Sequence, residues 1–95
     1  MKIRLTKLAV RDVTARVEWL AARDADAAVS FRAELDRVFA FLCERPSAGR
    51  TTRIGGLRIA VRRWPLPPMV VYFERRADDL VVYRVRHAAR RPIER

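Results

Sequence analysis

Few residues in this chain have side chains suited to chemistry. It holds one histidine, His87, and one cysteine, Cys43. His87 sits in sequence among Arg84, Arg86, Arg90 and Arg91. A histidine amid cations that would hold a phosphate is the layout of a general acid or base in metal-independent RNA cleavage. The plainer reading, which the sequence favours, is a strand-end histidine that hydrogen-bonds the backbone and orders the tail. Tyr72 and Tyr83 fall inside apolar runs and read as core residues with a bonded hydroxyl. Ser30 and Ser47 have no nucleophile context, and no spacing gives His87 a partner carboxylate. Three glycines, two of them adjacent, do not make a phosphate-binding loop. One histidine and one cysteine do not make a metal site, and a single cysteine closes no internal disulfide. Cys43 follows Phe39 by four residues in a helical pattern, so it reads as a buried thiol. The sequence therefore nominates no catalytic residue, no metal ligand and no cofactor.

The stronger chemical signal is charge. The net charge is +10, and it is uneven. Residues 1–44 hold eight Lys/Arg against seven acids, whereas residues 45–95 hold thirteen arginines against four acids. Arginine favours planar, bidentate recognition of carboxylate or phosphate. An arginine-rich half points to an acidic partner, either nucleic acid or an acidic protein segment. Within it, Arg58, Arg62, Arg63, Trp64, Arg84, Arg86, His87, Arg90 and Arg91 are the candidate partner-binding residues. Trp64 could stack on a base or, beside Pro65, close one end of the core.

Three runs rich in β-branched and aromatic residues must position that set: Leu57–Trp64, Met69–Arg75 and Leu80–Arg86. They predict a three-stranded antiparallel meander. Alternation along the first run sends Leu57, Ile59 and Val61 one way, toward covering helices, and Arg58 and Arg62 the other. The PLPP segment between the first two runs reads as a rigid connector, because proline donates no ladder hydrogen bond. Ala77-Asp78-Asp79 reads as the second hairpin turn. Upstream, Lys2–Leu5 is a possible short strand and Thr6 a helix N-cap. Ala9, Val13, Val17 and Leu20 recur at helical spacing over Lys7–Arg23, with Trp19 off that stripe. Asp24 or Asp26 caps a second helix, Ala25–Glu44, whose stripe is Ala28, Phe31, Leu35, Val38, Phe39 and Leu42. The ERPSAGRTTRIGG segment that follows reads as a loop. Ninety-five residues with 51% apolar content make one domain over residues 1–95, with a single core. No apolar run approaches the ~18–20 residues of a membrane span, and residues 1–10 do not read as a signal peptide, so a cytoplasmic location is expected.

Taken in order, these pieces resemble the RelE/ParE superfamily of bacterial type II toxins, specifically its ParE-like branch. The resemblance runs over roughly residues 3–92. It rests on the short strand ending in Thr6, the alanine-rich Ala25–Phe31 segment, the ERPSAGR loop, Leu57-Arg58, Val70–Phe73 and the terminal Arg84-Val85-Arg86-His87-Ala88-Ala89-Arg90. It implies an α+β domain, a short N-terminal strand and a helical hairpin packed on a three- to four-stranded antiparallel sheet. It also implies a growth-arresting toxin neutralised by a ParD-like antitoxin whose acidic segment wraps it, with DNA gyrase as the target. Sequence-specific nucleic-acid binding is not expected. The RelE-like branch, which cleaves mRNA on the ribosome without metal, is the alternative. No tyrosine follows Tyr83 and no lysine follows Lys7, which favours the gyrase-directed branch.

Overall fold

The computed structural model describes residues 1–45, 47–53 and 60–88. The chain runs β1 (Lys2–Leu5), α1 (Lys7–Ala21), α2 (Ala25–Glu44), β2 (Arg50–Arg53), β3 (Ala60–Leu66), β4 (Met69–Arg76) and β5 (Asp79–His87). The five strands form one sheet in the order β1-β5-β4-β3-β2. β2 through β5 are antiparallel neighbours, and β1 lies parallel to β5. The α+β class is as expected, but the sheet is larger than three or four strands and mixed rather than purely antiparallel.

Both helices begin where their caps predict. Thr6 Oγ1 accepts from the Ala9 N–H at 3.1 Å, and Asp24 Oδ1 accepts from the Asp26 and Ala27 N–H groups. Each bond satisfies a donor that the first turn cannot pair internally. The far end of α2 is closed from the sheet. The Arg75 guanidinium donates to the carbonyls of Leu42 and Arg45, placing a cation where the helix dipole is negative.

One core fills the space between helices and sheet. Ala9 and Val13 of α1 and Phe31, Leu35, Phe39 and Leu42 of α2 meet Leu66, Met69, Val71, Phe73, Leu80, Val82 and Val85 of the sheet. The half-buried Cys43 packs against this cluster, as its place on the α2 stripe predicts. On the opposite sheet face Val61, Val70 and Tyr72 form a second, smaller cluster with Tyr83 against it.

Three expectations for the sheet are corrected. First, the segment read entirely as a loop contains β2, whose Arg50–Arg53 pairs with Arg63–Ala60 of β3. Four polar residues carry no usable periodicity, so only the pairing defines them as a strand. Second, β3 continues through Pro65 and Leu66, leaving Pro67 and Pro68 as the whole connector. Pro65 is tolerated because β2 begins only opposite Arg63, so the stretch of β3 beyond it has a neighbour on one side only. Third, the facing of β3 is reversed. Trp64 and Leu66 pack with the helices, and Arg62 shares their side of the pleat, while Val61, 1% exposed, joins the smaller cluster on the other face. Alternation defines two faces but does not say which one the helices cover. Leu66, excluded from the strand in the sequence reading, is what decides it. Leu57, Arg58 and Ile59 lie outside the described residues.

Candidate partner-binding surface

The outer edge of β5 is where the two halves of the chain meet. β1 pairs with β5 only from Asp79 to Val82, so β5 beyond that point has no strand beside it. The start of α1 takes over. The Thr6 N–H donates to Val82 O at 3.0 Å, and Thr6 Oγ1 donates to Tyr83 O at 2.8 Å. Nearly two turns further on, Asp12 accepts from the Val85 N–H at 2.9 Å. Asp12 also takes Arg84 in a two-pronged pair, Nε at 2.8 Å and Nη2 at 3.1 Å. A register irregularity between Tyr72 and Phe73, opposite Tyr83, lies beside this clamp. The Asp12 bonds raise the pKa of Arg84 above the usual arginine value, against a smaller lowering from burial. Arg84 is thus engaged within the fold by Asp12.

Beyond the clamp, α1 and the end of β5 enclose a cleft of about 410 Å³ lined by Asp12, Ala15, Arg16, Trp19, Met69, Val85, Arg86 and His87. Trp19 carries two guanidinium groups over its ring, Arg23 at 3.8 Å and Arg16 at 4.9 Å from the centroid. In Arg16 and in Arg86 the Nε is buried without a hydrogen-bond partner. His87 stands opposite Met69 in the β4–β5 register, and the next residue's N–H, that of Ala88, donates to Pro68 O at 2.7 Å.

Among the described residues, the candidates do not converge on one patch. Arg86 and His87 line this cleft. Arg63 lies on the sheet face away from the helices, 6.0 Å from the Tyr72 ring centroid. Arg62 points the other way and donates to Gly49 O at 3.0 Å and Ser47 O at 3.4 Å, tying down the segment before β2. Trp64 stacks at 5.0 Å on Phe41 of α2 and closes one end of the core. Arg58, Arg90 and Arg91 lie outside the described residues. Tyr83 keeps its bonded hydroxyl, donating to Glu74 at 2.8 Å. Burial first, and then the Glu74 bond and charge, push its pKa up.

Asp12, Arg16 and Trp19 were missed by the sequence reading. Trp19 did lie off the apolar stripe, and Arg16 and Arg23 sit three before and four after it, the helical spacing that brings side chains together. No sequence signal pairs Asp12 with Arg84, 72 residues away. Among the described residues no group of histidine, cysteine, aspartate and glutamate could hold a metal ion, and no helix is long and apolar enough to cross a membrane.

A helical hairpin laid over a twisted sheet, with its first strand parallel to its last, defines the RelE/ParE-like class of α+β domains. A solved structure described as "Chromosomal ParDE TA system from P. aeruginosa" shares this fold. Its TM-score is 0.72 at 18% identity, covering 92% of this chain and 95% of that one. No curated protein matches the chain. Residues 3–92 match the family described as the ParE toxin of the type II toxin-antitoxin system parDE, and the chain belongs to that family. As the toxin half of such a system, its partner is a cognate antitoxin.

Proposed function

We propose that this toxin arrests growth from the cytoplasm by inhibiting DNA gyrase, and that a ParD-like antitoxin neutralises it through an acidic segment. The observation that supports inhibition over catalysis is the engagement of the arginines near the last strands. Arg84 is held by Asp12, Arg62 by backbone carbonyls and Arg75 by the end of α2. A ribonuclease would need such cations free and convergent on one phosphate. Charge supports the acidic partner, since thirteen arginines face four acids in residues 45–95. Arg63, Arg86 and His87, with Arg58, Arg62, Trp64, Arg84, Arg90 and Arg91 from the sequence reading, remain the candidate contacts.

The alternative, ribosome-dependent mRNA cleavage, is favoured by the cleft, where His87 lies with Arg16 and Arg86, whose Nε groups have no partner. Supercoiling by purified gyrase, run beside mRNA cleavage in a translation extract, separates the two. Gyrase inhibition without cleavage is the expected result, and cleavage without gyrase inhibition would overturn it. A His87→Ala chain is expected to keep its growth arrest in cells lacking the antitoxin. A ribonuclease using His87 would lose about 10²–10⁴-fold in rate.

A further inference from the structure

The cleft between α1 and β5 holds two polar groups that the fold leaves unsatisfied. Arg16 and Arg86 both line it, and the Nε of each is buried with no hydrogen bond. A buried charged donor without an acceptor is costly, so an anion entering the cleft would gain from both. The acid already in the lining does not fill that role. Asp12 is taken up by Arg84 and the Val85 N–H. The same engagement blocks the Val85 N–H from pairing with an added strand, so recognition here falls to side chains. Apart from His87, the rest of the lining is apolar, with Ala15, Met69, Val85 and the half-exposed Trp19. A bare inorganic anion would leave that surface uncovered. A nucleobase would have to displace the guanidinium groups over Trp19 before stacking on it. The volume of about 410 Å³ falls in the range of sites that take several connected groups rather than one ion.

We propose that this cleft receives an acidic residue flanked by an apolar one in a peptide segment, its carboxylate held by Arg16 and Arg86 and the apolar side chain covering Trp19, Met69 and Val85. The proposal rests on the reading of the partner as an acidic protein segment and assigns the point at which that segment is gripped. Two arginines on different elements, α1 and β5, then read one carboxylate, so binding also ties the helix to the strand end. A glutamate or aspartate next to a leucine-like residue fits this chemistry, and an unbroken run of acids does not.

The test uses the full chain and an acetylated, amidated peptide of alternating glutamate and leucine. The indole N–H resonance of Trp19 reports on the cleft, and that of Trp64, packed on Phe41, is the internal control. A saturable shift confined to Trp19 is expected. Arg16→Gln and Arg86→Gln should each weaken it at least about tenfold, the loss typical of a hydrogen bond to a charged group. The glutamine-leucine peptide should give no shift. Should either glutamine variant fail to fold by circular dichroism, Arg16→Lys and Arg86→Lys carry the test. They keep the charge without the Nε donor and should still bind more weakly. Unchanged affinity in the variants would overturn the proposal. So would an equal response to inorganic phosphate, or tighter binding of an oligodeoxynucleotide than of the peptide. Peptide binding is read on the purified chain without gyrase, so its failure leaves the toxin reading standing.

Discussion

Replacing Asp12 by alanine would remove the one side chain that joins α1 to the end of β5 by three hydrogen bonds. Two come from Arg84 at 2.8 and 3.1 Å and one from the Val85 N–H at 2.9 Å. The side chains of Arg84 and Asp12 are 22% and 15% exposed, so the pair is mostly but not wholly desolvated. Removing one member of a fully buried pair costs about 3–5 kcal/mol, because the other charge is stranded. Residual exposure lets water reach Arg84, while the stranded Val85 N–H adds part of a further lost bond. The balance is a loss of about 2–3 kcal/mol. For a domain of this size that is a fall in Tm of about 8–24 °C. Chemical denaturation of the wild type, Asp12→Ala, Arg84→Ala and the double variant measures it. Because both single variants break the same interaction, the double variant should lose at least about 1 kcal/mol less than the sum. A loss below about 0.5 kcal/mol for Asp12→Ala, or strict additivity in the cycle, would refute the clamp.

Gly49→Ala is expected to cost about 2–3 kcal/mol in a urea melt. Its φ is 91°, which alanine adopts at a penalty, and a Cβ there would meet Arg63 O at 2.9 Å and Phe73 Cζ at 3.0 Å. Tyr83 sets an alkaline limit. Its folded pKa is raised, so the stability from the neutral phenol is complete below pH about 10 and is lost as the pH rises through the folded value. Tyr83→Phe should flatten the fall in stability between neutral pH and pH about 11, and an unchanged slope would exclude Tyr83 as its source.

Sequence alone determined the local elements. Both caps, the apolar stripe of α2 and the cores of β4 and β5 are written in nearest-neighbour chemistry, because capping needs one side chain within a turn and helical burial needs one repeated spacing. It also determined the excess of positive charge in the second half, and with that the expectation of an acidic partner. What only tertiary structure decided were the choices between equivalents. The period-2 pattern of β3 allowed either face to meet the helices, and contact of Trp64 and Leu66 with the core selected the face that carries Arg62. β2 became a strand because β3 lay beside it, and β1 found its parallel partner in β5, at the other end of the chain. The division among arginines was decided the same way. Arg62, Arg75, Arg84 and Arg86 are alike in sequence, yet the first three found acceptors within the fold, Arg75 through Nη2 alone, whereas Arg86 lines a cleft with its Nε unpaired. A guanidinium's role depends on which carbonyl or carboxylate lies within about 3 Å of it. That distance is set by parts of the chain many residues away.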